Sequence, residues 1–555
     1  MSSSTEAWQP HFTGRPTPAL NLRPRHLSLV LDEAADAAPK RMALRFQNMR
    51  MTYAELRERA ERFAAALRRS GVQPGDRVAI MLPNLPQTVI AFWGVMKAGA
   101  TAVMTNPLYR EAELHHHFRD AGVRVLITLD LLWQHIEPLM TPLDLHLVIV
   151  ADVADALRPP LRWFYALKRR RDGGAPVIPW SRNVLRWRDF CACRERHRPA
   201  PGNPHAEIAL LQYTGGTTGE PKGAMLTHAG LTAQLTQLLA ILDPKDEDQH
   251  TFLSIMPFFH VFGLMGNLVL PAAMRATTIP VPRYTPGDLL RTIDRFRPTF
   301  FVGAPAVYIS LMQQKTIARH DLTCIRYCIS GSAPFPAEML RRWQELTHAA
   351  ITEGYGLTEA SPVLCANPVF GTQKIGSIGV PLPLTQLRIV AVDDPDRELG
   401  DNERGELVAR GPQLMAGYWN RPDETAVTLR NGWLHTGDIA CRDKDGYYFL
   451  VDRKKDLVIV GGYNVYPREV EEVLYEHPHV AEAAAVGVSH PTRGEALKAF
   501  IVPKAGTILS KADLAAHCRT RLASYKIPRF FEFRTALPKT VIGKVLRRTL
   551  RDEEK

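Results

Sequence analysis

Thr214-Gly215-Gly216-Thr217-Thr218-Gly219-Glu220-Pro221-Lys222-Gly223 packs four glycines, three threonines and one lysine into ten residues. Glycine lets a backbone turn sharply and bring its N–H groups close to a ligand. The threonine hydroxyls add donors and Lys222 adds a cation, so the run has the chemistry of a polyphosphate cradle. It lacks the G-x-x-x-x-G-K-[ST] order of a Walker A loop, and a tight turn with no ligand accounts for it equally well in isolation.

Other stretches could supply partners. Ser330-Gly331-Ser332-Ala333-Pro334 and Gly354-Tyr355-Gly356-Leu357-Thr358-Glu359 place small residues at turns, where backbone N–H and C=O groups face a ligand. His260 stands among aromatics in Met256–Gly263, a setting that favours a core histidine. Asp438, Arg453 and Lys544 are single charged residues within Thr436-Gly437-Asp438, Asp452-Arg453-Lys454-Lys455-Asp456 and a basic tail. The run His115-His116-His117 cannot converge on one metal, because adjacent helical residues diverge by about 100°. It reads as a solvated face.

These residues need a scaffold. Thr52-x-x-Glu55 is a capping box ahead of a helix with Leu56, Ala60, Phe63 and Leu67 on one face, closed by Gly71. Strand and helix then alternate with short connections: strands Val78–Leu82, Thr101–Met104 and Val123–Thr128, and helices from about Gln87 to Ala98 and up to about Gly122. That alternation means right-handed βαβ units and a parallel sheet, with ligands at the carboxyl ends of the strands. Ile208–Tyr213 reads as a strand entering the glycine-rich run, and Ala224–Leu239 as a helix leaving it. Past Gly405 short strands punctuated by Gly and Pro suggest a small barrel or sheet, with a hairpin turn at Asp443-Lys444-Asp445-Gly446. The last hundred residues read as a separate α+β unit.

At 555 residues the chain needs two or more domains. Its net charge of +12 admits an anionic partner, yet no zinc finger or recognition helix supports nucleic acid. Seven scattered cysteines with no C-x-x-C pair suit a reducing cytoplasm. No secretory signal or transmembrane stretch is visible, so a cytosolic protein or one seated on the inner membrane face is expected. Residues 161–190 interleave Trp163, Phe164, Trp180 and Trp187 with clustered Lys and Arg. They read either as an anionic-membrane contact or as a surface excursion packed on its own domain.

Taken in order, Tyr213–Gly223, Gly354–Glu359, Thr436–Asp438, Asp452–Asp456 and Pro538–Lys544 resemble the AMP-forming acyl-CoA synthetases of the adenylate-forming superfamily, most of all bacterial long-chain fatty-acid–CoA ligases. The resemblance spans about Leu27 to Arg551. It implies an α/β fold: a large N-terminal domain (1–453) of stacked, doubly wound, mostly parallel sheets plus a small β-barrel-like part, and a smaller mobile α+β C-terminal domain (454–555). It implies ATP, Mg²⁺ and coenzyme A, with a fatty acid made first into an acyl-adenylate and then into a thioester. Thr214, Gly215, Gly216, Thr217, Thr218, Gly219 and Lys222 would hold the β- and γ-phosphates. Gly331, Ser332, Ala333, Gly354, Tyr355, Gly356 and Leu357 would border adenine, and Asp438 and Arg453 the ribose. Thr358 would bond the α-phosphate, Glu359 with Thr217 would hold Mg²⁺, and Lys544 would reach the reacting oxygens. His260 would orient the carboxylate, Lys455 would be the hinge, and Gly461 and Gly462 would line the pantetheine path. Phe259, Phe262, Leu264 and Val302 would border the acyl tunnel. A ligase loading a carrier protein, a ligase for shorter or aromatic acids, and a nucleotide binder without turnover remain alternatives; a homodimer is admissible.

Overall fold

The computed structural model describes residues 20–554 apart from 173, 175, 199–201, 215–220, 244–248, 334, 461–462, 491–493 and 541–543. Gly215, Gly216, Thr217, Thr218, Gly219, Gly461, Gly462 and Gly543 therefore lie outside the described residues. Two large sheets dominate. In the seven-stranded one, Val184–Arg186, Leu147–Ala151, Val125–Leu129, Arg77–Met81, Thr101–Met104 and Ile208–Thr214 run parallel, and Lys222–Thr227 joins antiparallel at the edge. In the nine-stranded one the central strands Ile351–Gly356, Tyr327–Ser330, Phe300–Gly303, Thr251–Ser254 and Thr277–Pro280 are parallel.

Both sheets are covered on two faces, as parallel sheets require. The period of two decides which residue goes where. Phe252 and Phe300 enter one apolar core while their neighbours Leu253 and Phe301 enter another with Trp343. In the other sheet Val78 and Ile80 share the first core, and Ala79 and Met81 join Leu126 and Val148 in a third. The shared core is filled by Phe63, Phe92 and Trp93, from helices Tyr53–Arg69 and Pro86–Lys97. Gly94 is needed where these helices touch: a Cβ there would stand 2.6 Å from Phe63 Cδ1. The capping box is present, with Thr52 N–H donating to Glu55 Oε2 at 2.7 Å and Glu55 N–H to Thr52 Oγ1 at 3.3 Å.

Two smaller sheets follow. Gln386–Val390, Gly405–Arg410, Trp433–Arg442, Leu429–Arg430 and Tyr448–Arg453 make an antiparallel sheet with the expected turn at 443–446. After a single turn at Lys454–Asp456, strands Val458–Val460, Tyr463–Val465, Val480–His490, Gly494–Pro503 and Phe530–Phe533 form the last sheet. Helices Pro467–Tyr475 and Lys511–Arg519 cover one of its faces.

Three readings need correction. The residues after the glycine-rich run are first a strand, Lys222–Thr227, and only then a helix, His228–Leu242. Thr227 caps that helix through Gly230 N–H at 3.1 Å, a start signal hidden by the Ala/Leu spacing around it. His117 is not solvated: it is 3% exposed, with its ring 4.1 Å from that of Tyr213. Of the aromatics in 161–190, Trp187 is buried against Phe63 at 5.0 Å. All seven cysteines are free thiols, and among the described residues no helix is long and apolar enough to cross a membrane.

Candidate active site

The carboxyl ends of Ile208–Thr214, Tyr327–Ser330 and Ile351–Gly356 open on one cavity of about 820 Å³. Thr214, Lys222, His260, Gly331, Ser332, Gly354, Tyr355, Gly356, Leu357, Thr358, Glu359, Arg453 and Lys544 all line it. Ala333 follows Ser332 at the rim, and Lys455 lies in the turn after Arg453. The chain thus gathers residues more than three hundred positions apart in sequence around one space.

Close backbone approach explains the glycines at the first wall. A Cβ on Gly356 would fall 1.8 Å from Pro362 O, and one on Gly331 would fall 3.2 Å from Gly354 O. The two strands therefore present a flat, side-chain-free edge. Beyond it stands a fixed acidic corner. Asp438 is 3% exposed; Tyr355 Oη donates to its Oδ2 at 2.6 Å and Arg453 Nε meets its Oδ1 at 2.8 Å. Its own N–H donates to Thr436 Oγ1 at 3.1 Å, and Thr436 Oγ1 donates to Leu407 O at 2.7 Å. Burial and the adjacent Asp438 charge hold the Tyr355 phenol far above its usual range, so it stays a donor.

Glu359 lies on the same wall, with Tyr418 Oη donating to its Oε1 at 2.6 Å. Among the described residues no other side chain bonds this carboxylate, so its second oxygen remains available to a hard cation. Lys222, on the edge strand, pairs with Glu424 and lies 5.4 Å from the centre of the Tyr418 ring. Lys222 and Glu359 are thereby linked through one tyrosine, Tyr418. Thr217, the other candidate cation ligand, lies outside the described residues.

Lys544 enters from the far end of the chain. Thr540 N–H donates to Lys544 O at 2.8 Å, and Lys544 N–H donates to Thr540 Oγ1 at 3.1 Å, closing a tight loop. Lys544 is exposed by surface area, yet it lines the cavity and protein surrounds its ammonium there. Burial and the neighbouring Arg453 guanidinium lower its ammonium to about 8. Burial and Lys544 push His260 down to about 4, so it is a neutral imidazole at pH 7. Its Nδ1 accepts Phe262 N–H at 3.3 Å, which leaves the proton on Nε2.

The opposite arm of the cavity is apolar: Leu238, Ile241, Leu242, Phe259, Phe262, Met265, Leu270 and Val302 line it. One turn of π-helix over Met265–Val269 brings Gly266 to its wall, where a Cβ would lie 3.3 Å from Val302 Cγ1. Leu264 is instead wholly buried in the core and does not border the cavity.

Elsewhere, His26, Glu207 and His228 bring possible ligand atoms within 4.8 Å of one another. Leu27 N–H donates to His228 Nδ1 at 3.1 Å, so the neutral ring carries its proton on Nε2 and cannot offer that atom to a metal. The tilted ring pair of His26 and His228, with centroids 3.5 Å apart, ties residues 26–28 to the helix His228–Leu242.

A family profile described as AMP-binding enzyme matches residues 31–419, and the AMP-binding enzyme C-terminal domain matches 469–544. The chain belongs to the AMP-binding enzyme family. Within that family it is 41% identical over 556 residues to a long-chain-fatty-acid–CoA ligase of Bacillus subtilis (strain 168), covering 99% of this chain and 98% of the relative. A feruloyl-CoA synthase of Amycolatopsis sp is 36% identical over 520 residues, covering 93% and 96%. Among solved structures, ATP-bound MatB from Rhodopseudomonas palustris superposes with a TM-score of 0.83 at 28% identity, covering 95% of this chain and 98% of that one.

Proposed function

We propose that this enzyme is a long-chain fatty-acid–CoA ligase that activates its substrate with ATP and Mg²⁺ and transfers the acyl group to coenzyme A. One observation carries the reading: Tyr355 and Arg453, which hold Asp438, line a single cavity together with Glu359, Lys544 and a set of apolar side chains. The fatty-acid carboxylate attacks the α-phosphorus of ATP, the bond to pyrophosphate breaks, and an acyl-adenylate forms. The thiol of coenzyme A then adds to the acyl carbonyl and AMP leaves.

Two anions must meet in the first step, so the site's task is positioning and charge neutralisation. Adenine lies along the flat edge at Gly331–Ala333 and Gly354–Leu357, and Asp438 accepts the ribose hydroxyls in a position fixed by Tyr355 and Arg453. Thr214–Gly219 and Lys222 cradle the outer phosphates, while Thr358 bonds the α-phosphate. Glu359 and Thr217 would hold Mg²⁺, which when bound would supply charge withdrawal from the phosphate oxygens. Lys544, still mostly an ammonium at pH 7, neutralises the charge gathering between carboxylate and phosphate. His260 orients the carboxylate through its Nε2 proton and is no base. For the second step residues 454–555 rotate as a domain about Lys455, withdrawing Lys544 and bringing Gly461 and Gly462 to the pantetheine path.

The test is product analysis by mass, with ATP, Mg²⁺, CoA and carboxylic acids of graded length, ferulate among them. Long-chain acyl-CoA with AMP and pyrophosphate is the expected outcome. Acyl-adenylate and pyrophosphate with no acyl-CoA would indicate a carrier-protein loader, and turnover confined to ferulate would move the enzyme to aromatic acids.

We also propose that helix Leu161–Arg171 rests on an anionic bilayer, where a fatty acid partitions. None of its residues is buried; Trp163 and Phe164 are 67% and 64% exposed, beside exposed Lys168, Arg170 and Arg171. Arg169 turns inward, to Asp130 and Asp152, and anchors the helix. Apolar side chains beside cations match anionic headgroups over acyl chains. W163A/F164A should pellet less with anionic vesicles and be unchanged with neutral ones. Unchanged anionic pelleting rejects the contact, as does a wild-type dimer in light scattering that this double variant dissolves, since a second copy would then cover the face.

A further inference from the structure

The lysine-bearing tail is fastened by a guanidinium three residues further on. Arg547 opens the last helix, Arg547–Asp552, and makes contact with three carboxylates. Its Nε donates to Glu471 Oε1 at 3.0 Å, and its Nη1 donates to Asp452 Oδ1 at 3.0 Å and to Asp456 Oδ2 at 3.2 Å. Arg551 adds a bond to Asp456 Oδ1 at 3.0 Å. A planar fork with five donors suits such a multiple contact better than an ammonium would.

These carboxylates belong to different sides of the turn at Lys454–Asp456. Asp456 and Glu471 lie beyond Lys455, on the same side as Arg547 itself. Asp452 lies before it, in strand Tyr448–Arg453, whose partner strand carries Asp438. The Asp452 side chain is 1% exposed, and its other oxygen accepts Arg468 N–H, again from beyond the turn, at 2.7 Å. A rotation at Lys455 leaves Arg547 with two of its three partners. It strips Asp452 of both contacts from the other side. The cluster is therefore asymmetric: its cost of opening falls on Asp452, because Arg547 never becomes an unpaired buried charge.

We propose that Asp452 is a positioning residue, a catch that holds residues 456–552 in the arrangement that places Lys544 in the cavity and thereby sets the balance between the two half-reactions. It touches no substrate. This rests on the reading that Lys455 is a hinge. A catch of this kind acts only through the population of one pose, so weakening it shifts flux between the steps instead of lowering both.

The test uses full-length Asp452→Asn, which keeps an acceptor for Arg468 N–H but removes the charge facing Arg547. Fatty-acid-dependent pyrophosphate exchange into ATP should fall about ten-fold, the usual scale for losing one charged partner. Thioester formation from supplied acyl-adenylate and CoA should stay level or rise. Arg547→Lys, which retains a charge but loses the fork, should shift the balance the same way and by less; it also stands in if the first variant does not fold. An equal fall in both half-reactions, or no change in either, overturns the catch. Dyes on exposed positions of the two domains separate this from the hinge itself. If their distance never changes when wild type with bound acyl-adenylate meets CoA, the hinge reading fails. If wild type responds but Asp452→Asn starts from the same distance distribution, only the catch fails.

Discussion

Asp438, held behind Tyr355 and Arg453 of the cavity wall, and Lys544, which lines the cavity, are fixed in opposite ways. Asp438 is locked from three directions, by a tyrosine from the nine-stranded sheet, an arginine from the next strand and a hydroxyl two residues back. Lys544 is tied only to its own segment, by Thr540 N–H to Lys544 O and Lys544 N–H to Thr540 Oγ1 with Leu546 N–H to Pro538 O beside them, and it lies beyond the proposed hinge. Under the proposed function, the difference separates a group needed throughout from a group needed once. A nucleotide must stay anchored while an acyl-adenylate forms and is consumed, so its ribose partner belongs on rigid elements. A cation that serves only while pyrophosphate departs can sit on a part that leaves.

Lys544→Ala should sharpen this contrast most. Removing one charge-stabilising donor typically costs about 10² to 10³ in rate, so pyrophosphate exchange should drop on that scale. Thioester formation from supplied acyl-adenylate should change by no more than about two-fold, as followed by CoA consumption. Asp438→Asn should act on both halves alike. It weakens charged hydrogen bonds, each of order 1.5–3 kcal/mol, and should raise the KM for ATP about ten-fold or more and weaken AMP binding in parallel calorimetry.

The contrast extends to pH. Lys544 titrates near 8 because burial and Arg453 disfavour its ammonium. In the proposed mechanism the protonated form is the active one, so kcat/KM for ATP should fall as pH rises through about 8, and Lys544→Arg should flatten that limb while retaining partial activity. Glu353 offers a smaller, structural test. Burial raises its carboxyl to about 7, opposed by a hydrogen bond from Phe335 N–H at 3.2 Å. The folded chain thus holds this proton more tightly than the unfolded one, so stability declines as pH rises from the unfolded value toward 7 and levels off above it. Glu353→Gln keeps the acceptor and removes the charge. It should stabilise the protein at pH 8 by up to about 3 kcal/mol, read from denaturant midpoints, with the gain shrinking as pH falls toward 4.5.

The alternation of strand and helix from Thr52 to Leu129 was legible because each segment carries its own period and cap. The convergence of Gly331, Gly354 and Asp438 was legible only through the resemblance, since no local pattern reveals what lies opposite a turn. His117 escaped because three adjacent histidines look alike in sequence, and only the packing of Tyr213 shows which one points inward. Tyr418 escaped for a similar reason: its partner Glu359 is 59 positions away. The Asp452–Arg547 cluster spans 95 positions and looks, in sequence, like two unrelated charge runs.

The most direct test of the central claim is a crystal structure with ATP and a non-reactive fatty-acid analogue. The account predicts the ribose hydroxyls on Asp438, the adenine along Gly331 and Gly354, and Lys544 Nζ within hydrogen-bond reach of the α-phosphate. Nucleotide bound elsewhere, or Lys544 turned away from a correctly placed ATP with the domains as described here, would contradict it.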